Sequence, residues 1–349
     1  MPYPKEFLDA HHHFLDTGSN GSTFHEFLAK LVPDFSYLAV DYRRDVISPL
    51  ENAGVTFRGS IHMECLPDDG LAEANWVNAM IDDSPTSIKG IIASCNLAQD
   101  TATVENELKK LSEVRRVKGI RWILDCVGKF DGGKNATHVA TTRHDGIDYL
   151  RGSDGGYDGG MVPAFERGFA LLEKFNFTFD LQCAPSQLVA ASKLCARYPN
   201  IKVVIDHLGK PRTLLGADTE CNNNSTPNQE ELAVWREGMK AMANNRNAYV
   251  KISMVGYAIP GWLRTEARIA LMRDLVRETV EIFGPKRCMV STNFWKDAAM
   301  SDSDGLSDVG PEAPRFLELM YDFLKGYSDH DLDRMFCKNA AEFYDIQML

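Results

Sequence analysis

The stretch Asp9-Ala10-His11-His12-His13-Phe14 places two histidines two positions apart, directly after the apolar pair Phe7-Leu8. Alternate side chains of a β-strand share one face, so His11 and His13 are predicted to project together from a strand end. Imidazole pairs serve as metal ligands, proton-transfer groups and hydrogen-bond donors to anions. The alternative is a surface cluster or a tag remnant, but purification tags are usually longer histidine runs flanked by linker residues.

Short apolar runs of strand length alternate along the chain with amphipathic stretches of helix length. With the run before His11, the predicted strands cover 57–63, 88–95, 117–123, 177–181, 201–205, 248–252 and 287–290. The predicted helices cover 71–81, 104–114, 164–175, 187–198, 230–243, 265–283 and 314–324, with a weaker first connection through 49–53. Eight such units favour an α/β fold with one (β/α)₈ TIM barrel over residues 1–349, and a doubly wound sheet is the structural alternative.

Composition and charge narrow the class of partner. The chain has 349 residues, 44% of them hydrophobic, and a formal net charge of −11. This charge argues against a nucleic acid or an anionic membrane as partner, because phosphate binding needs clustered Lys and Arg. No apolar run approaches the roughly 18 residues of a membrane span, and the N-terminus lacks the layout of a signal peptide. We therefore expect a cytoplasmic protein with a small-molecule partner, whose oligomeric state the sequence leaves open.

Polar residues follow every predicted strand. Because active sites of such barrels lie at the carboxyl ends of the strands, these residues are candidates for function. In strand order they are His11 and His13, His62 and Glu64, Asn96, Arg121, Asp180 and Gln182, Asp206 and His207, Lys251 and Ser253, and Thr292 and Asn293. Each alone could be a capping or core residue. The long connections after strands four and six, 125–162 and 210–228, predict loops that cover the same end.

Six segments together resemble the amidohydrolase superfamily: 9–13 (DAHHH), 117–121 (VKGIR), 180–182 (DLQ), 205–211 (IDHLGKP), 250–253 (VKIS) and 291–294 (STNF). The HxH pair alone is a weak signal, but it is strong together with the DHLGKP segment. More narrowly, the chain resembles the amidohydrolase-related branch that contains sugar-acid lactonases and 2-pyrone-4,6-dicarboxylate lactonase. The resemblance covers nearly the whole chain. It implies a TIM barrel that hydrolyses a small cyclic ester or a related carbonyl compound.

The resemblance also implies roles for individual residues. His11 and His13 match the histidines of the first strand, and His207 matches the histidine of the sixth strand. The three are thereby implied as catalytic residues and as ligands of one divalent metal, such as Zn²⁺. Arg121 matches the arginine of the fourth strand, which implies that it holds a carboxylate of an anionic substrate.

Two departures from the family pattern put the metal and the general base in doubt. Gln182 stands where metal-dependent members have a histidine, and Asn293 stands at the catalytic position of the usual aspartate. An amide cannot accept a proton from water, so the base would be Asp297, Asp180 or a histidine. The end of strand four offers no lysine for a bridging carbamate, and a binuclear metal centre is therefore not expected.

Lactone opening needs a nucleophilic water, a polarised carbonyl and a stabilised oxyanion. A Zn²⁺ ion on the three histidines would lower the pKa of its water to about 7 and polarise the carbonyl. The alternative is a site without metal, in which the histidines donate hydrogen bonds to the carbonyl. The sequence leaves both alternatives open.

Five further residues are predicted to contact the substrate: His62, Gln182, Lys251, Ser253 and Trp295. Lys251 and Ser253 alternate with apolar neighbours, so both are expected to face the barrel mouth, although a structural hydrogen-bond role is an alternative. Trp295 is expected either to form an apolar wall of the substrate pocket or to pack under a loop. Asp206 is expected to point away from His207 and to anchor the following turn.

Three functions are compatible with these residues. The leading one is a hydrolase that opens a sugar-acid or dicarboxylate lactone. The alternatives are a metal-dependent decarboxylase of an aromatic or muconic acid and a catalytically silent small-molecule binding barrel. Metal content distinguishes the decarboxylase, and proton release from a panel of lactones distinguishes an enzyme from a silent binder.

Overall fold

A computed structural model of the chain describes residues 3–18, 21, 23–31, 33–83, 88–125, 147–152, 160–211, 214–215, 225–257, 259, 261–294 and 311–348. Eight parallel strands form one sheet: β1 Glu6–His12, β2 Thr56–Met63, β3 Ile88–Ser94, β4 Val117–Arg121, β5 Thr178–Leu181, β6 Val203–Ile205, β7 Ala248–Ile252 and β8 Cys288–Val290. The order of the strands in the sheet is their order in the chain. A bridge between His12 and Phe294 brings the chain after β8 back to β1. The predicted (β/α)₈ TIM barrel is therefore confirmed.

The helices predicted from periodicity are present, with ends within a few residues of the prediction. They are Gly70–Asp83, Thr101–Glu113, Pro163–Lys174, Leu188–Arg197, Gln229–Ala243, Glu266–Phe283 and Ala313–Phe323. Further helical segments are Glu26–Leu31, Ala39–Tyr42, Arg43–Ile47, Ser48–Asn52, Asp329–Asp333, Arg334–Lys338 and Asn339–Phe343. Short helical turns cover Pro185–Gln187, His207–Gly209, Val255–Tyr257 and Pro285–Arg287, and a two-stranded ribbon pairs Leu15–Asp16 with Ser36–Tyr37.

The half of the barrel interior nearer the amino ends of the strands is apolar. Its side chains pack with those of the last helical segment in one buried cluster, which includes Leu8, Ala10, Ile61, Ile92, Val204, Met289 and Phe343. A larger cluster packs the outer faces of the strands against the surrounding helices. Since apolar residues fill the interior near the amino ends of the strands, the buried polar side chains lie nearer the carboxyl ends.

Among the described residues, the seam between β1 and β8 is held by a carboxylate and by backbone hydrogen bonds, one of which joins His13 N to the carbonyl of Phe294 at 3.5 Å. Fully buried Asp9 accepts hydrogen bonds from Thr292 N at 2.9 Å, Thr292 Oγ1 at 2.5 Å and Tyr42 Oη at 2.8 Å. The backbone N–H of Asn293 donates to the carbonyl of His11 at 2.8 Å. Closing the barrel therefore also fixes the position of Asn293 relative to the histidines of β1.

A β-bulge near the end of β1 sets the direction of the histidine side chains. Asp9 pairs with Ser60 and His12 pairs with His62, so β1 contains one residue more than β2 over this span. The ring of His12 stacks on Tyr42 in the outer layer, with ring centroids 4.4 Å apart. The histidines on either side of His12 face the barrel instead.

No helix in the described ranges is long and apolar enough to cross a membrane. Most of the two predicted covering loops, 125–162 and 210–228, lies outside the described residues.

Candidate active site

His11 and His13 meet at the carboxyl end of β1. Their Nε2 atoms lie 3.2 Å apart, and His13 Nε2 is also 3.2 Å from Asn293 Oδ1. The other nitrogen of His13, Nδ1, donates to the carbonyl of Met63 at 3.0 Å, which leaves a lone pair on Nε2. The structure thus brings together the β1 histidines and the asparagine that follows β8, as the sequence predicted.

His207 reaches the same place through an unusual backbone turn. His207, Leu208 and Lys210 have φ values of 55°, 56° and 55°, and Gly209 between them has a φ of 70°. Left-handed conformations cost non-glycine residues roughly 1–2 kcal/mol each. The turn brings the His207 ring within 4.8 Å of the His11 ring, centroid to centroid.

Two contacts hold this turn in place. Trp235 Nε1 donates to the carbonyl of Leu208 at 2.7 Å, and Lys210 forms a buried ion pair with Asp125.

Ser253 Oγ, which follows β7, lies 2.9 Å from His207 Nδ1. We call His11, His13, His207 and Asn293 the strand-end cluster. Ser253 was predicted as a substrate contact, and in this structure its hydroxyl is bonded to a ring of the cluster.

A buried charged group lies directly against His11. The ammonium of Lys251 contacts Asp180 Oδ1, lies 3.1 Å from Asp206 Oδ1 and lies 3.3 Å from His11 Nδ1. All four side chains are essentially inaccessible to solvent. Tyr344 donates a hydrogen bond to Asp180 at 2.7 Å. Lys251 therefore faces the barrel interior, and its contacts fit the structural hydrogen-bond role that was the alternative to substrate contact.

The expectation that Asp206 anchors the turn after strand six was wrong. Its Oδ1 lies 3.4 Å from His11 Nδ1, and its Oδ2 lies 3.7 Å from Arg121 Nη1. The reason is the alternation of β6: Val204 belongs to the interior cluster, so Asp206 continues the inward face. His207 is the residue that breaks the alternation, because its positive φ turns the backbone.

Arg121 lies at the end of β4, 3% exposed, and its guanidinium is already bonded. Its Nε donates to Glu64 Oε1 at 2.6 Å and one Nη donates to the Glu64 carbonyl at 2.6 Å. The other Nη donates to Gln182 Oε1 at 3.4 Å. Arg121 and Gln182 are therefore both at the predicted end of the barrel, where Glu64 holds the guanidinium in place.

His62 does not join the strand-end cluster, and its prediction as a substrate contact is corrected. Its ring stacks on Phe14 with centroids 5.6 Å apart, and its Nε2 lies 3.8 Å from Glu73 Oε1. Its neighbours Ile61 and Met63 face the barrel interior, so His62 faces the helices. The predicted contact Trp295 and the alternative base Asp297 lie outside the described residues.

Glu73, which contacts His62 outside the barrel interior, gives a prediction about how stability depends on pH. Glu73 Oε1 accepts hydrogen bonds from His25 at 3.1 Å and from the backbone of Cys65 at 2.8 Å. Burial works to raise the pKa of Glu73, but the contacts with His25 and His62 outweigh it and lower the pKa from 4.5 to about 2. Because the folded-state pKa is lowered, the ionised Glu73 stabilises the folded protein above pH 4.5, and this contribution is lost as the pH falls toward 2.

We expect Glu73→Gln to remove about 3 kcal/mol of stability at pH 7, with a smaller difference from wild type at about pH 3. Urea unfolding at both pH values measures it. Glu105→Gln is the matched control, because Glu105 forms a solvent-exposed pair with Lys174 and should leave the pH dependence unchanged. Equal pH slopes for Glu73→Gln and wild type would show that Glu73 is not held as a carboxylate.

Burial and neighbouring cations keep the histidines of the site neutral. Burial lowers the pKa of His11 and of His13 well below the usual value, helped by Lys251 for His11 and by Arg121 for His13. Burial also lowers the pKa of His207 to about 3. A neutral imidazole carries one N–H and one lone pair, so hydrogen-bond partners decide which nitrogen offers which.

The two buried aspartates beside Lys251 differ in their ionisation. Burial raises the pKa of Asp180 to about 6, although Lys251 opposes the rise. Burial also works to raise the pKa of Asp206, but the contacts with Lys251 and His11 outweigh it and hold the pKa well below its usual range. At neutral pH Asp206 is therefore a carboxylate that faces both Lys251 and His11.

The spacing of polar atoms in the cluster resembles that of a metal site. Ligand atoms about 2.0–2.1 Å from a tetrahedral Zn²⁺ lie roughly 3.3 Å apart, close to the 3.2 Å that separates His11 Nε2 from His13 Nε2. His11, Asp206 and His207 also offer ligand atoms within 4.8 Å of one another. The hydrogen bonding does not fit, however, because Lys251 donates to His11 Nδ1 and His11 Nε2 then carries a proton instead of a lone pair.

Sequence reasoning missed three functional neighbours of the cluster. Asp180 was considered only as an alternative general base, Asp206 only as an anchor of the following turn, and Glu64 was not expected to hold Arg121. The signal for Asp180 was present, because it alternates with buried Phe179 and Leu181 on β5. No local sequence pattern predicts the pairing of Glu64 with Arg121, because the two residues lie 57 positions apart.

Comparisons with known proteins give a family and a fold. The amidohydrolase family model matches residues 8–346. The uncharacterised protein y4mH of Sinorhizobium fredii is 25% identical over 185 residues, 53% of this chain and 52% of that protein. L-fucono-1,5-lactonase of Burkholderia multivorans is 27% identical over 133 residues, 37% of this chain and 41% of that protein. The chain thus matches about half the length of these curated relatives.

Similar solved structures cover the full chain at lower identity. An amidohydrolase of Burkholderia multivorans with bound zinc has a TM-score of 0.66 and 18% identity, with 98% of this chain and 99% of that chain covered. A putative 2-pyrone-4,6-dicarboxylic acid hydrolase of Pseudomonas putida has a TM-score of 0.61 and 14% identity, with 98% of each covered. The 5-carboxyvanillate decarboxylase of Sphingomonas paucimobilis has a TM-score of 0.53 and 14% identity, with 98% and 100% covered.

At these identities the solved structures show the fold alone. The family model, in contrast, spans nearly all of the chain, including the β1 histidines, His207 and Asn293. The chain belongs to the amidohydrolase family.

Proposed function

We propose that the protein hydrolyses a small lactone of a sugar acid or a dicarboxylic acid. The observation that carries the proposal is the strand-end cluster itself: three neutral imidazoles and an amide converge at the carboxyl end of a barrel, next to a buried arginine. Such a set can orient a water molecule and polarise a carbonyl. The L-fucono-1,5-lactonase among the relatives supports the same chemistry.

His13 is the proposed base. Its Nδ1 proton is held by the carbonyl of Met63, so its Nε2 offers a lone pair 3.2 Å from the acceptor Asn293 Oδ1. A water molecule that donates to both atoms, in place of the His11 Nε2–H that His13 Nε2 accepts in the free protein, is held with its oxygen free to attack. His13 is 9% exposed, whereas His11 is fully buried.

His11 is the proposed donor to the carbonyl. Its Nε2–H points into the cluster, where a lactone carbonyl can accept it as negative charge develops on the oxygen. The water oxygen forms the new bond to the carbonyl carbon, and its proton moves to His13. Collapse of the adduct breaks the ring C–O bond, and the proton then passes from His13 to the alkoxide, so that the open hydroxy acid is formed.

Asp180 does not serve as the base in this scheme. Both Lys251 and Tyr344 donate to its Oδ1, and its side chain is fully buried. A carboxylate with these contacts stabilises the ammonium rather than a water molecule. Among the alternatives for the base, the histidine is therefore the one that the described contacts favour.

Arg121 is proposed to hold a carboxylate of the substrate. Glu64 takes two of its N–H groups at 2.6 Å, while the contact with Gln182 is longer at 3.4 Å. The Nη that faces Gln182 also lies 3.7 Å from Asp206 Oδ2, and it is the donor that a substrate carboxylate would engage in place of these longer contacts. A lactone with a second carboxylate should gain from this contact, whereas a neutral sugar lactone should not.

Proton release from a panel of neutral and carboxylate-bearing lactones, followed with an indicator dye, tests the function. We expect turnover of at least one class of lactone.

Arg121→Lys keeps the positive charge near Glu64 but loses the planar fork of the guanidinium. It should raise KM for carboxylate-bearing lactones by about 10–100-fold, because a hydrogen bond to a charged group contributes about 1.5–3 kcal/mol.

Arg58→Lys is the matched control, because Arg58 pairs with Glu6 at the opposite end of the barrel. It should leave KM unchanged for every lactone. Absence of turnover across the panel, or release of CO₂ from an aromatic acid in its place, would contradict the lactonase proposal. An unchanged KM in Arg121→Lys would mean that Arg121 is a structural residue held by Glu64.

A further inference from the structure

We propose that Lys251 is a positioning residue that fixes His11 in the tautomer with its proton on Nε2 and thereby disfavours a metal ion at the strand-end cluster. The proposal rests on the contacts of one buried ammonium and does not depend on the substrate. Its consequence for hydrolysis, a His11 Nε2–H that a bound carbonyl can accept in place of His13 Nε2, rests on the function proposed above.

The first step is the stereochemistry of an ammonium group. It has three N–H donors and no acceptor, so each polar atom in contact with it must accept. Three atoms lie around Lys251 Nζ: Asp180 Oδ1, Asp206 Oδ1 at 3.1 Å and His11 Nδ1 at 3.3 Å. Among the described residues, Lys251 Nζ donates hydrogen bonds to Asp180 Oδ1 and His11 Nδ1, while Asp206 Oδ1 is an ion-pair contact, so His11 Nδ1 offers its lone pair to Lys251.

The second step follows the proton through the cluster. An imidazole whose Nδ1 accepts a hydrogen bond carries its proton on Nε2, which in His11 lies 3.2 Å from His13 Nε2. His13 Nε2 is an acceptor, because the Nδ1 proton of His13 is bonded to the carbonyl of Met63 at 3.0 Å. The chain of donors from Lys251 through His11 and His13 to Met63 is complete, with every nitrogen along it satisfied.

The third step concerns the cost of binding a cation. A metal ion on His11 Nε2 requires a lone pair there, so the proton would have to move to Nδ1, where Lys251 donates. The displaced N–H would find Asp206 Oδ1 at 3.4 Å, but Lys251 would lose its hydrogen bond to His11. A divalent ion would also be placed near a buried positive charge.

Replacing Lys251 should release this constraint. In Lys251→Met the Asp206 carboxylate becomes the partner of His11 Nδ1–H, which is the carboxylate–histidine arrangement that favours metal ligation. We expect the Zn²⁺ dissociation constant to fall by about 10-fold or more, since partners of ligating histidines change metal affinity by about 10–100-fold. A chelator-competition titration measures the affinity, and ¹⁵N NMR of the ring nitrogens measures the tautomer.

Two further variants keep the test decisive. Lys251→Met/Asp180→Asn removes one buried carboxylate with the ammonium, and it serves where the single variant does not fold. Lys118→Met is the control, because Lys118 is bonded to the carbonyl of Asp345 at the other end of the barrel. It should bind Zn²⁺ like wild type.

The NMR measurement on the wild-type protein stands independently of the variants, with His11 assigned by its loss in His11→Gln. A wild-type His11 protonated on Nε2, together with tighter Zn²⁺ binding in the Lys251 variants, supports the proposal. A wild-type His11 protonated on Nδ1 would overturn it. So would Lys251 variants that bind Zn²⁺ no more tightly than wild type. Neither measurement requires turnover, so a failure of the lactonase proposal is distinguishable.

Discussion

Asp9→Ala is expected to destabilise the barrel by about 3–5 kcal/mol, because it leaves buried donors on Thr292 and Tyr42 without an acceptor and each such group costs about 1–3 kcal/mol. The loss falls on the seam between β1 and β8, where the structure also sets the distance from His11 to Asn293. Lactone turnover should therefore fall even at temperatures where the variant remains folded. Urea unfolding and turnover of the same preparations measure both effects.

Asp9→Asn should lose less than Asp9→Ala. Burial raises the pKa of Asp9, so desolvation of the carboxylate offsets part of its hydrogen bonding, and an amide avoids that cost while keeping one acceptor oxygen. Asp100→Ala is the matched control, because Asp100 accepts from Thr103 N at a solvent-exposed helix start and its loss should cost about 1 kcal/mol. If Asp9→Ala were no more destabilising than this control, the carboxylate would not hold the seam.

The fold was predictable from the sequence because both periodicities are strong. The strand runs and the seven main helices follow from apolar residues at spacings of two and of three to four, and their ends shift by only a few residues. The helical segments 39–52 and 329–343 were weakly predicted or missed. They are short, and they are stabilised by packing on the barrel rather than by a long amphipathic pattern.

The candidate site was predictable where a side chain follows a regular strand. Lys251 and Arg121 lie where alternation and the strand-end rule place them. His11 and His13 face the barrel because of the β-bulge in β1, which the sequence does not show. Two assignments failed on the direction of a side chain, those of His62 and Asp206. The assignment of His62 failed because the inward face of β2 is formed by its apolar neighbours.

Positive φ at non-glycine residues shapes this site and has no signal in the local sequence. His207 and Asn293 have φ values of 55° and 53°, and the first of these turns brings the His207 ring to the cluster. Non-glycine residues rarely adopt this conformation, and those that do cluster at functional sites. Tertiary contacts such as Trp235 with the Leu208 carbonyl hold the turn, and they join residues that are distant in the chain.

Asn293→Asp is expected to raise the hydrolysis of an activated lactone by about 100-fold or more, because burial holds the pKa of the proposed base, His13, well below its usual value and a positioned general base typically contributes about 10²–10⁴-fold. The new carboxylate would lie where Asn293 Oδ1 is now, 3.2 Å from His13 Nε2. It can take a proton from water, which the amide cannot. The same carboxylate adds a negatively charged oxygen to the cluster, so Zn²⁺ should also bind more tightly.

The opposite outcome is informative about the substrate. If Asn293 recognises a hydroxyl or carbonyl of the true substrate through its amide, Asn293→Asp would remove a donor, and turnover of that substrate would fall while Zn²⁺ affinity still rose. Asn96→Asp is the matched control: Asn96 follows β3, its Oδ1 accepts from Ala98 N at 2.9 Å, and an aspartate can accept the same bond. Turnover and metal affinity should be unchanged in that control. A gain in neither quantity for Asn293→Asp would mean that proton transfer in this barrel does not pass through the position after β8, and that the pair of His11 and His13 alone carries the chemistry.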